Sequence, residues 1–177
     1  MTACLVRSVL LLMCMAGPAL SAESDPDAKT VPLTREQIST YLEAGRGLLQ
    51  KGLPAEAIRQ YFDPVIQSFA QLNHDPDVQV YAAHSMVDSL MYAAMAATAD
   101  NKGKSTGKHK SIVLDGAWTD ALEMKAYALT ELGRLDESEA LYKRCLAMNP
   151  DDAMARHELD YFAHLRSNQA TSPSSPH

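Results

Sequence analysis

The chain has 177 residues, 46% of them hydrophobic and 21% charged, with 16 Lys+Arg against 22 Asp+Glu and three cysteines. That composition excludes a collagen-like chain, a disulfide-stapled mini-protein and a chain disordered throughout, and it fits one ordinary globular domain. The acidic balance argues against nucleic acid as a partner, because affinity there depends on basic surface facing the phosphates.

Residues 1–22 have the order of a secretory signal. Arg7 gives a short cationic start, Val9 to Ala16 an apolar run, and Gly17-Pro18 a break before small residues, with cleavage expected after Ser21 or Ala22. The run is too short to span a bilayer, which takes about 20 residues, so no stable membrane insertion is expected after cleavage. Export across an inner membrane, to a periplasm, is the expected localisation. Losing Arg7 would leave 15 basic against 22 acidic residues, a balance of −7, and losing Cys4 and Cys14 would leave Cys145 alone. A single cysteine cannot staple an exported domain, so a packed core has to hold it. Cys145 reads as a small buried residue on an apolar helix face.

From there the pattern is helical. Residues 23–33 read as a flexible leader. Thr34 with Gln37 three residues on has capping-box spacing and opens a helix that runs to about Lys51, where Gly52 stops it. Pro54 opens a second helix with Ala57, Ile58, Tyr61, Val65, Ile66 and Phe69 near the 3.6 period. Pro64 within it should kink that helix or shift its register. Asn73 to Asp77 reads as a turn, and a third helix is expected over 78–97 with Val80, Ala83, Val87, Leu90, Met91 and Ala94 on one buried face. Residues 99–111, rich in Gly and Lys, read as an inserted exposed loop. Helices follow over about 117–132, 136–148 and 152–165, then a disordered tail over 167–177. No strand-like alternation stands out, so the expected class is all-α.

Thr119 to Asp152 resembles a tetratricopeptide repeat, a helical hairpin of roughly 34 residues. Leu122, Ala126 and Leu129 match the first helix, Gly133 the turn, Ser138 and Tyr142 the small-x3-aromatic pair, and Pro150 the close; Lys125 stands where the family has Leu. A more diverged copy begins at Ile38, with Tyr41, Gly45 and Leu48, then Gly52, then Ala57 and Tyr61. Tyr41 and Leu122 lie 81 positions apart. Two periods leave a surplus that the inserted loop would fill, with a middle hairpin whose second helix is only Ile112 to Asp115. The resemblance therefore implies a short α-solenoid of about three hairpins over 34–166, closed by a capping helix.

The resemblance also implies protein binding on a concave face lined by first helices. Its residues would be Leu42, Arg46 and Leu49 in the first unit, and Asp120, Glu123, Tyr127, Thr130 and Glu131 in the last. Their carboxylates suit a protein or peptide partner with a basic segment. A scaffold or adaptor, or an inhibitor of the immunity-protein type, is the expected function, and neither catalysis, cofactor nor metal is expected. The alternative is an accessory subunit or weak hydrolase using the Gly/Lys loop as a lid. Gly103-Lys104-Ser105 lacks the first glycine of a phosphate loop, since Thr98 occupies its place. His157, Asp160 and His164 share a helix face but have no evident fourth ligand.

Overall fold

The computed structural model describes residues 32–72, 78–102 and 110–171. The elements run α1 (Arg35–Gln50), α2 (Pro54–Ala57), a π-helical turn (Ile58–Phe62), α3 (Asp63–Leu72), β1 (Val78–Ala83), α4 (Met86–Lys102), β2 (Lys110–Asp115), α5 (Ala117–Glu131), α6 (Leu135–Met148) and α7 (Ala153–Thr171). These residues are predominantly helical, consistent with an all-α class, with one departure in the middle of the chain.

Two hairpins dominate. In the first, Thr34 caps α1 with a reciprocal box: its hydroxyl accepts from the Gln37 amide and the Gln37 side chain accepts from the Thr34 amide. Gly52, at φ 71°, ends α1, with Gly52 N bonded to Leu49 O and Leu53 N to Leu48 O. Gly133, at φ 72°, ends α5 with the same pair of bonds, Gly133 N to Thr130 O and Arg134 N to Leu129 O. This is the Schellman closure, which needs a residue free to adopt a left-handed backbone.

The second arm of the first hairpin is one continuous rod of α2, the π turn and α3. Pro64 has no amide hydrogen to give, and just before it Asp63 N reaches back five residues to Ile58 O. The register shift expected from Pro64 is this π turn. It turns Phe62 inward against Gly45, so closely that a Cβ on Gly45 would lie 2.3 Å from the ring. Tyr41 and Tyr61 meet edge to face beside it at 5.7 Å.

In the second hairpin Ala126 and Ser138 are fully buried at the helix crossing. The Ser138 hydroxyl lies 2.7 Å from Ala126 O and 2.8 Å from Thr130 Oγ1, so the close approach is hydrogen-bonded as well as apolar. Lys125 reaches across to the first hairpin, where its Nζ donates to Asp63 Oδ1 at 2.6 Å. The two hairpins pack directly on one another through α5. One core, including Leu42, Phe62, Val65, Phe69, Trp118, Leu122 and Leu129, runs through both. α7 covers the far side, with Tyr142 of α6 against Phe162 of α7 at 6.2 Å and Arg166 paired with Glu139.

The expected middle hairpin is instead a β-α-β excursion, correcting the reading of three helical hairpins. β1 and β2 pair in parallel from Val78 opposite Lys110 to Ala83 opposite Asp115, and α4 is the crossover that parallel pairing requires. Val78, Val80 and Ala82 face the core while Gln79 and Tyr81 are half-buried, the alternation of a strand. Of the face assigned to a helix over 78–97, Val80 and Ala83 are buried on β1, but the part on α4 is not: Val87 is 74% exposed and Leu90 66%, with Met91 also exposed. Tyr92 is the main anchor, stacked on Tyr81 at 5.3 Å and hydrogen-bonded to Asn149 Oδ1. Ile112 to Asp115 is strand, not helix.

The edges of the domain also differ from expectation. Leu33 belongs to the fold, since its amide donates to Ser68 Oγ at 2.7 Å and its side chain packs on the core. Residues 167–171 extend α7, and of the expected loop 99–111, residues 99–102 are helical and 110–111 are strand. The leader up to residue 31, the turn at 73–77, the Gly103-Lys104-Ser105 motif and residues 172–177 lie outside the described residues. Among the described residues, no helix is long and apolar enough to cross a membrane.

Candidate binding site

Two clefts open along the seam between α1 and α5. The first, of about 340 Å³, is lined by Arg46, Leu49 and Gln50 of α1, Glu123, Met124 and Tyr127 of α5, Tyr142 of α6, and Met154 and Glu158 of α7. Tyr127 and Met154 are about half exposed and form an apolar rim, while Tyr142 is buried at the floor. Burial pushes the Glu123 carboxyl up to about 8, helped by a hydrogen bond to and the charge of Asp152, and by the charge of Asp120. Burial also raises the Tyr142 hydroxyl, with the Glu158 charge next in effect. Both groups therefore sit neutral at pH 7, with Glu158 and Arg46 lining the same cleft.

The second cleft, of about 450 Å³, lies at the carboxyl ends of the parallel strands and includes Arg35, Leu42, His84, Asp115 and Asp120. Ligand crevices in open α/β sheets occupy the same position. His84 Nε2 lies 2.9 Å from Asp120 Oδ1 and 3.4 Å from Thr119 Oγ1, and Arg35 pairs with Asp115 at 2.6 Å. Gly116 makes room for the imidazole, since a Cβ there would lie 2.4 Å from His84 Cδ2. Three hydroxyls nearby have backbone partners. Thr119 donates to Gly116 O at 2.7 Å, Ser89 donates to Ser85 O, and Ser85 Oγ accepts from the Asp88 amide at the start of α4. Among the described residues around this cleft, His84 Nε2 is directed at Asp120, with Thr119 Oγ1 at the longer distance.

Six of the eight residues assigned to the concave face are divided between these clefts. Arg46, Leu49, Glu123 and Tyr127 line the first. Leu42 and Asp120 line the second, with Leu42 largely buried in the core and Asp120 engaged by His84. Thr130 is turned to Ser138, and Glu131 is exposed outside both clefts. His157, Asp160 and His164 are exposed on α7. His84 is absent from the sequence-level candidates because 78–97 reads as helix there; the alternation of Val78, Val80 and Ala82 just before it is the signal that could have placed it. Met154 and Glu158 are absent because nothing in the sequence tells which face of the last helix turns toward α1. Comparison with family models, curated proteins and solved structures yields no match for this chain.

Proposed function

We propose that this chain is an exported binding protein, a scaffold, adaptor or inhibitor, that takes a basic peptide segment of a protein partner into the cleft between α1, α5 and α7. The observation that carries the reading is that Arg46, Leu49, Glu123 and Tyr127, far apart in sequence, line one cleft. Its volume suits one or two side chains rather than a large cofactor. The Tyr127 and Met154 rim offers apolar contact to an aliphatic stem, and the Glu123 and Glu158 carboxyls offer acceptors to a cationic head. An arriving ammonium or guanidinium group would take the place of the proton that burial leaves on Glu123.

We further propose that the two hairpins are tetratricopeptide-like units. What supports this is their shared spacing: a buried small residue, Gly45 or Ala126, stands seven positions before the left-handed glycine, and another, Ala57 or Ser138, five after it. Export rests on the signal-like order of residues 1–22. The alternative, an accessory subunit or weak hydrolase with the Gly/Lys loop as a lid, turns on residues 103–109, which lie outside the described residues.

Fluorescence anisotropy with lysine-rich and glutamate-rich peptides of matched length tests the groove. The reading expects binding of the basic set alone, weakened about tenfold or more by Tyr127→Ala and by Glu158→Lys, since an anchor side chain in a desolvated pocket typically contributes a tenfold factor or greater. Equal binding of both sets, or basic peptides that bind both variants unchanged, would overturn it.

A further inference from the structure

Behind the wall of the first cleft three helices bring one polar atom each to a common point. A carboxylate oxygen of Glu123 on α5, Sγ of Cys145 on α6 and a carboxylate oxygen of Asp152 at the start of α7 all lie within 4.8 Å of one another. Asp152 is only 6% exposed. Its Oδ1 caps α7 by accepting from the Ala155 amide at 2.9 Å, while its Oδ2 is buried with no hydrogen-bond partner. Buried polar atoms are rarely left so, and each orphan calls for a reason. Cys145 is fully buried, and its sulfur has only a long contact, 3.9 Å, to Thr119 O. Three groups that are all acceptors when ionised thus converge, with nothing between them but the proton that burial leaves on Glu123 and the Cys145 thiol proton. A cation satisfies all three at once.

We propose that Glu123, Cys145 and Asp152 form a zinc site whose fourth coordination position opens toward the cleft. The donor set selects the metal: a thiolate with two carboxylates suits Zn²⁺, whereas Mg²⁺ and Ca²⁺ take oxygen ligands alone. Tetrahedral Zn²⁺ with bonds of 2.0–2.3 Å places its ligand atoms about 3.5 Å apart, so the three groups close by roughly 1 Å on binding. Glu123 can supply most of that movement, being a long side chain that is only partly buried, while Asp152 and Cys145 are fixed by the cap and the core. Binding expels the thiol proton, and any proton held between the carboxyls, to solvent. Cys145 and Asp152 are not among the residues lining the cleft, so the proposal does not depend on peptide binding, and substitutions there leave Arg46 and Tyr127 in place.

The test is titration of the untagged full chain with Co²⁺ and Zn²⁺, read by absorbance, equilibrium dialysis and thermal melting. The expected results are one metal per chain, a near-ultraviolet sulfur-to-cobalt charge-transfer band, and a Tm raised by roughly 5–10 °C when free Zn²⁺ stands about 100-fold above Kd. Cys145→Ser should abolish the band and weaken binding about tenfold or more. Asp152→Asn, which keeps a side chain able to cap α7, should weaken binding by a similar factor. Circular dichroism and metal-free melting show that each variant remains folded. Three results would overturn the proposal: no stoichiometric binding, which would leave the carboxyls bridged by a shared proton only; binding without the sulfur band; or binding retained in Cys145→Ser and lost in His157→Ala/His164→Ala.

Discussion

Two glycines set two positions apart in α1, on different faces of the helix, make a sharp test of how the first hairpin is held. Gly45 and Gly47 are both helical, and replacing either by alanine gains about 1 kcal/mol of intrinsic helix preference. Their surroundings differ. A Cβ on Gly45 would sit 2.3 Å from Phe62 Cε1 and 2.8 Å from Cζ, whereas one on Gly47 would meet nothing within 4 Å. Phe62 has no exposed surface and lies in the π turn before Pro64, so the ring cannot step aside without disturbing α2, α3 or the core. Overpacking of this kind costs about 1–3 kcal/mol. Gly45→Ala should therefore be net destabilising by up to about 2 kcal/mol, and Gly47→Ala net stabilising by about 0.5–1 kcal/mol. For a domain of this size each kcal/mol shifts Tm by roughly 2–4 °C, so the two variants should melt on opposite sides of wild type and be separated by several degrees. Urea unfolding monitored by circular dichroism, with unchanged m-values, measures the same difference at fixed temperature. If Gly45→Ala matches or exceeds Gly47→Ala in stability, the close packing of α1 on the π turn is refuted.

The remaining predictions concern contacts between elements. Lys125→Ala and Asp63→Ala should each cost about 1–2 kcal/mol, because their 2.6 Å pair is only partly exposed; a double-mutant cycle should return a coupling of about 1 kcal/mol, and additive effects would show that the pair does not join the hairpins. Gly52→Ala and Gly133→Ala should each lose about 1–2 kcal/mol through the left-handed backbone alone, since neither site is crowded; unchanged melting of both would contradict the Schellman closures. Trp118→Ala should cost about 3–5 kcal/mol, because the ring is buried, stacked on Phe69 at 5.6 Å and covered by Arg144. Its fluorescence should move to the red on unfolding, and an emission maximum already solvent-like in the folded protein would refute its burial.

Local chemistry made both hairpins legible. Thr34 and Gln37 announce the start of α1, Gly52 and Gly133 announce two turns, and Pro64 announces a disturbed helix, because each of these residues acts on its own few neighbours. The middle of the chain was not legible for the same reason turned around. Val80, Ala83, Val87, Leu90 and Ala94 satisfy a helical period, yet the first two belong to a six-residue strand and the others to the exposed part of α4. What decides between strand and helix there is the pairing of Val78–Ala83 with Lys110–Asp115, a contact across more than thirty residues that no local window contains. The stretch between Tyr41 and Leu122 holds a β-α-β crossover unit rather than a lengthened hairpin. Half of the cleft was visible because Arg46, Leu49, Glu123 and Tyr127 share faces on first helices. Asp152 was not, because its role depends on where α7 docks and on which of its two oxygens the cap consumes.

The central claim is that the partner enters between α1, α5 and α7, and the competing surface is the exposed apolar face of α4. Amide chemical-shift mapping of the labelled chain during titration with a lysine-rich peptide separates them directly. Saturable shifts centred on Arg46, Gln50, Tyr127, Met154 and Glu158 are the result the account predicts. Shifts centred on Met86, Val87 and Leu90, with the cleft residues unmoved, would contradict it.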